Sequence, residues 1–335
     1  MRNEEELDER LSRPPEALVR ELGGLKGDLV LLGAAGKMGP TLARMARRAL
    51  PRERQVVAVA RFSDARARTA LEAAGVRCIP CDLLDRAAVD RLPDAAAVLF
   101  MAGQKFGTTG GEAATWAQNT VAPANCAERY KGVPTVAFST GNVYPLTPVD
   151  SGGATEETPP GPIGEYAQSA LGRERVFQYF SEKYGTPVCV YRLNYAVECR
   201  YGVLVDLSQK ILAGEPIDLR MGRVNVIWQG DANAAALRCI PLAASPRAIL
   251  NVTGPEVLSV RELASRLGEL LGKAPVFEGR EEPTALLSNA SKMVKLFGPP
   301  TVGVDQAVAW IADWLRAGNR LLGKATHFET RDGKL

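Results

Sequence analysis

Histidine is nearly missing from this chain: one residue in 335, His327. Ser-His-Asp hydrolysis, His-ligated zinc and imidazole general-base chemistry each need a ring in the site, and a lone one so late in the sequence reads as a surface or packing group. Long apolar runs are missing too. No stretch reaches the roughly 18 uninterrupted apolar residues of a spanning helix. The first residues, MRNEEELDERLSRPP, are charged and fit neither a secretory signal nor a membrane anchor. Charge of one sign is also lacking: 41 basic against 38 acidic side chains leave a formal +3, with the arginines scattered, so neither nucleic acid nor membrane is an expected partner. Six cysteines without a secretion signal predict reduced thiols and a cytoplasmic protein. Cys78 and Cys81 form a CxxC, but no second pair or nearby histidine accompanies it. No metal site is predicted, and both thiols are read as strand-end packing.

What is present is a repeated grammar. After a short helix over residues 16–23, DLVLLGAAGKMGPTLARMARRAL gives an apolar strand, a glycine turn and a helix with Leu42, Met45, Ala46 and Leu50 on one side. QVVAVARF, VRCIPCD, AAVLFMAG, PTVAFST and PVCVYRLN read as further strands, with helical stretches between them. Buried strands alternating with helices predict an α/β fold with a doubly wound parallel (Rossmann) sheet. The expected organisation is an N-terminal helical arm (1–26), a dinucleotide-binding domain (27–194, completed by strands near 224–255), and a smaller substrate-covering lobe (195–223 and 256–335). The Pro/Gly/Thr-rich stretch NVYPLTPVDSGGATEETPPGPIG is too long for a simple connector and is expected to be a flap over the site.

Gly33, Gly36 and Gly39 form GxxGxxG between the first strand and its helix. The first glycine permits the tight turn, the second lets backbone approach a pyrophosphate, and the third allows helix and strand to pack closely. The helix N-terminus would face the phosphates with its unpaired N–H groups. At the end of the second strand, Arg61 offers a planar cation suited to the 2′-phosphate of NADP, although Asp64 nearby leaves NAD open and a plain surface arginine is the alternative. Asp82 ends the third strand, as an acceptor for an adenine amino group or as a turn cap.

The order of elements, with GAAGKMG at 33–39, Asp82, MAG at 101–103, Asn119, FSTGNVYP at 138–145, Tyr166, YRLN at 191–194 and VNVIWQGDANAAA, resembles the extended short-chain dehydrogenase/reductase family, its NAD-dependent epimerase/dehydratase group, over roughly residues 27–270. The resemblance implies a cofactor site built from Gly33, Gly36, Lys37, Met38, Gly39, Arg61, Asp82, Leu83, Met101, Ala102, Gly103, Asn119 and Tyr166. It implies that Thr140, with Ser139 beside it, hydrogen-bonds the substrate oxygen while Tyr166 exchanges the proton. Hydride cannot leave a C–H bond unless the adjacent hydroxyl loses its proton, which is why an acid/base group must lie within reach. A homodimer is usual for the group. Asn194 and Tyr195, after the strand, are substrate-side candidates, and Tyr144 is readable as substrate-facing or packed.

One position departs from the resemblance: where the family has a lysine four residues after the tyrosine, this chain has Ala170. That lysine holds the nicotinamide ribose and lowers the tyrosine pKa. Its loss should harm alcohol oxidation, which needs phenolate, more than carbonyl reduction, which needs only a phenol. Arg173 shares the helical face, but two turns of rise argue against its touching phenol and ribose together. Lys105, in the loop after the fourth strand, is the preferred substitute and a substrate-side candidate, or else a solvated loop lysine. The expected function is therefore an NADP-dependent (NAD possible) oxidoreductase, epimerase or dehydratase acting on a sugar-like or other small hydroxy or keto compound. The alternative is a non-catalytic NADP(H)-binding regulator.

Overall fold

The computed structural model describes residues 1–105 and 110–334. In chain order the elements are α1 (Glu4–Leu11), α2 (Glu16–Gly23), β1 (Leu29–Leu32), α3 (Gly39–Ala49), β2 (Val56–Ala60), α4 (Ala65–Ala73), β3 (Arg77–Pro80), α5 (Arg86–Asp90), β4 (Ala97–Phe100), α6 (Glu112–Trp116), α7 (Ala122–Arg129), β5 (Thr135–Thr140), β6 (Thr147–Pro148), α8 (Gly164–Tyr184) and β7 (Val188–Leu193). There follow β8 (Ala196–Val197), α9 (Val203–Ala213), β9 (Pro216–Asp218), β10 (Arg223–Val224), β11 (Ile227–Trp228), α10 (Gln229–Arg238), β12 (Ala248–Val252), β13 (Leu258–Ser259), α11 (Val260–Leu271), β14 (Val276–Glu278), β15 (Thr284–Ala285), α12 (Ser291–Phe297) and α13 (Val304–Arg316). A π-helical turn, Ala117–Val121, joins α6 to α7.

Seven strands form one parallel sheet in the order β12-β7-β5-β4-β1-β2-β3. This is the doubly wound arrangement the alternating pattern predicts. Side chains alternate across the pleat: Leu29 and Leu31 join the apolar layer on one face with Val56 and Ala58, while Val30 and Leu32 join the other with Val57 and Val59. Both faces are covered, which is why these strands read as unbroken apolar runs. The strand order reverses between β1 and β4, and the crevice beyond their carboxyl ends is where such sheets take ligands.

A second, smaller core gathers Leu204, Leu207 and Ile211 of α9, Leu263 and Leu267 of α11, and Val308, Ile311 and Trp314 of α13. The first residues are not a loose arm. Leu7 and Leu11 of α1 are buried in this second core, and Leu18 and Leu22 of α2 in the sheet core. Of the strands near 224–255, β12 joins the central sheet, while β10 pairs with β13 and β11 with β8.

Candidate active site

The turn after β1 is shaped by contacts that forbid side chains at two glycines and leave the third open. Gly33 has φ +91°, and a Cβ there would lie 2.5 Å from the Ala102 backbone nitrogen. A Cβ on Gly39 would lie 2.1 Å from the Ala34 carbonyl oxygen, so only glycine lets α3 start against the turn. At Gly36 the nearest neighbour is the Gly33 oxygen, at 3.6 Å. The middle glycine thus faces room, as a backbone approached by a pyrophosphate must. No side chain caps the start of α3, whose N–H groups are left for a ligand.

Two cavities meet at this turn. One, of about 340 Å³, is lined by Gly33, Gly36, Arg61, Ser63, Asp82, Leu83, Ala102 and Lys324. The other, of about 270 Å³, is lined by Gly33, Gly36, Lys37, Met38, Gly39, Met101, Gly103, Lys105, Phe138, Ser139, Thr140, Tyr166 and Asn194. Gly33, Gly36, Met101 and Gly103 belong to both. The glycine turn thus joins a cleft in two parts, one bordered by Arg61 and the other by Tyr166. Asp64 caps α4 and pairs with Arg66 at 3.0 Å. Asp82 accepts from the Leu84 N–H at 3.0 Å while lining the Arg61 cavity.

In the second of these cavities, Thr140 comes from the end of β5 and Tyr166 from the first turn of α8. Burial raises the Tyr166 phenol above its usual range; the Arg173 charge and a hydrogen bond with Thr140 oppose that rise. The phenol is therefore neutral at pH 7, and is a proton donor in its resting state. Lys37 is pushed down to about 6 by burial and by the charges of Lys105 and Lys324, and its ammonium lies 3.2 Å from the centroid of the Tyr201 ring. Lys105 is lowered to about 8 by burial, with Asp206 opposing, and donates to the Thr326 carbonyl at 3.0 Å. Residues 106–109 of its loop lie outside the described residues.

Three of the sequence candidates do not present free groups to this cavity. Ser139 lines it, but its hydroxyl donates to Glu174 Oε1 at 2.5 Å. Tyr144 is buried beneath it, with its hydroxyl donating to Asn251 Oδ1 at 2.8 Å and accepting from Arg192 Nη1 at 2.7 Å. Asn119 is fully buried and lines neither cavity. It holds the β4 loop through the Gln104 N–H at 3.0 Å and the Gln104 carbonyl at 3.1 Å.

Sequence reasoning missed Tyr201, Asn142, Gln229 and Thr326, which line the same chamber as Asn194 and Tyr195. Tyr195 sits at φ +47°, a left-handed conformation uncommon for a bulky residue and a signal visible only in coordinates. The stretch expected as a flap contributes only Asn142 to the chamber, and is instead pinned to the lobe by β6–β15 pairing. The chamber is covered by the segment after α13, through Thr326, whose N–H and hydroxyl both donate to Asp206 Oδ2, at 2.7 and 2.5 Å.

Among solved structures, MoeE5 in complex with UDP-glucose and NAD is 23% identical, with a TM-score of 0.70 over 87% of this chain and 99% of that one. The UDP-glucose 4-epimerase of Thermotoga maritima gives 18% and 0.71 over 87% and 99%, and the UDP-glucuronic acid 4-epimerase of Bacillus cereus 17% and 0.72 over 86% and 99%. At these identities the likeness establishes the fold. No curated protein matches the chain. The sequence profile of the NAD dependent epimerase/dehydratase family matches residues 29–218, and it is to this family that the chain belongs.

Proposed function

We propose that the protein is an NADP-dependent oxidoreductase of the epimerase/dehydratase type, with NAD a possible second cofactor, acting on a sugar-like or other small hydroxy or keto compound. The observation that carries this is that Tyr166 and Thr140 line one cavity with the glycine turn. When bound, the dinucleotide gives or takes the hydride. Gly36 admits the pyrophosphate, Arg61 and Lys324 supply cations on the adenosine side, and Met101, Ala102 and Gly103 wall the cleft. Thr140 orients the substrate oxygen, and Tyr166 donates a proton to it in reduction or withdraws one in oxidation. Lys105 and Asn194 line the substrate side.

UDP-sugars, found in the complexes of the similar proteins, head the substrate panel. Reduced-nicotinamide absorbance and conversion of the sugar itself are both followed with the wild type and Tyr166→Phe, because an epimerase or dehydratase returns its hydride within the cycle; a dependence on the phenol in any arm supports the enzyme, and equal traces and equal conversion throughout refute it. Ala170 favours a second reading, a dinucleotide-binding regulator, for which binding without Tyr166-dependent turnover is expected. Exposed Trp116, Val121, Tyr179 and Tyr184 on the packed α6, α7 and α8 region support a homodimer through these helices.

A further inference from the structure

Behind the chamber wall lies a buried cation that no carboxylate among the described residues contacts. Arg173 lies two turns after Tyr166 on the same face of α8, and Ala170 between them contributes only a buried methyl. Helical side chains lean toward the N-terminus, which is how the guanidinium reaches back beneath the cavity. Its Nη1 donates to the Phe138 carbonyl at 2.9 Å and its Nη2 to Asn119 Oδ1. A Cβ on Gly103 would lie 2.2 Å from Nη2, so the wall is bare there to admit it. Nε has no partner. Among the described residues no carboxylate oxygen lies within 4.0 Å of these nitrogens, and neighbouring Glu174 is committed to Arg192 at 2.6 Å. A desolvated ion without a counter-ion is costly to a fold, and such costs concentrate where charge has a task.

We propose that Arg173 is a positioning residue for proton transfer, its fixed charge making the Tyr166 phenolate accessible when a proton must be withdrawn from substrate. This rests on the reading of Tyr166 as the proton-exchanging group. In that direction the substrate O–H bond breaks, its proton passes to Tyr166 Oη, and the adjacent C–H bond gives up its hydride to the oxidised dinucleotide. The other ionisable groups facing the phenol are Tyr195 and Tyr201, both pushed up by burial, with Lys37 and Lys105 on the same cavity. Lys37 and Lys105 lose charge within the working pH range; a guanidinium does not. Because the charge favours phenolate over phenol, proton withdrawal depends on it and proton donation from the neutral phenol does not.

The test places difluorotyrosine at position 166 of the full chain and follows its ionisation by fluorine NMR. Arg173→Gln is expected to raise the midpoint by about one pH unit or more, a tenfold change in the ionisation equilibrium. Arg173→Lys, which also loses the guanidinium bonds but keeps the charge, should move it by less than about half as much. Gly103→Ala, which displaces the guanidinium without removing it, should shift the midpoint in the same direction if the glutamine variant fails to fold. A midpoint unmoved in Arg173→Gln and Gly103→Ala, or moved equally by Gln and Lys, overturns the role of Arg173. Turnover that is indifferent to Tyr166→Phe overturns instead the reading beneath it.

Discussion

Alanine at Gly36 and at Gly39 should have opposite consequences, although the two glycines are three residues apart in one turn. At Gly39 the added carbon would sit 2.1 Å from the Ala34 oxygen and 2.5 Å from its carbonyl carbon, more than an ångström inside contact with backbone that belongs to the turn. Overpacking of that kind costs about 3 kcal/mol, which for a chain of this size lowers Tm by about 5–10 °C. At Gly36 the nearest atom is 3.6 Å away and φ is not left-handed, so alanine should leave stability within about 1 kcal/mol of wild type. What it should remove is dinucleotide affinity, by at least about tenfold, or ~1.4 kcal/mol, because the methyl occupies the opening toward the pyrophosphate. Thermal unfolding without ligand measures the first effect and calorimetric titration with NADP and NAD the second. Wild-type affinity in Gly36→Ala would mean the pyrophosphate does not pass this turn, and an unperturbed Gly39→Ala would mean the contacts there are wrong.

Glu174→Gln strips the carboxylate from a buried pair whose nitrogens approach within 2.6 and 2.8 Å; it should cost on the order of 3 kcal/mol in urea unfolding, since Arg192 is left charged and buried. Lys37, lowered to about 6, binds a proton more weakly folded than unfolded, so its contribution to stability rises with pH between about 6 and the unfolded value and is lost as pH falls through 6. Lys37→Met should therefore be the more stable protein at neutral pH, with the gap in denaturant midpoints closing toward pH 10; a gap independent of pH would contradict this. Arg61→Ala should weaken NADP more than tenfold and NAD little in equilibrium titration, and equal losses would remove the 2′-phosphate role. Val121→Asp should convert a dimer to monomer in sedimentation, Val121 being 49% exposed on the helical face, and an unchanged mass would refute that interface.

Local signals carried the sheet and the turn. Strands such as LVLL and VVAVA are uniformly apolar because each residue meets a covered face, and the glycine spacing lies within seven residues. Tyr166 and Thr140 could be paired from the resemblance, and the coordinates bring them to one cavity. Misjudged or unseen features depend on partners distant in sequence. Tyr144, readable from sequence as substrate-facing or packed, gives its hydroxyl to Asn251, 107 residues on; Ser139 is drawn to Glu174, 35 residues away. Thr326 reaches the chamber through Asp206, 120 residues earlier, with no periodicity to announce it. Arg173 was argued from helical rise not to touch phenol and ribose together; its nitrogens bond Phe138 and Asn119, partners that rise alone does not announce.

The covering strand of chain at Thr326 hangs from two supports of different origin. Lys105 follows the central sheet, and Asp206 belongs to α9 in the second core. Thr326 therefore answers to both cores: its carbonyl is held from the sheet side and its N–H and hydroxyl from α9, so loss of either bond leaves the roof over Tyr166 anchored from one side alone.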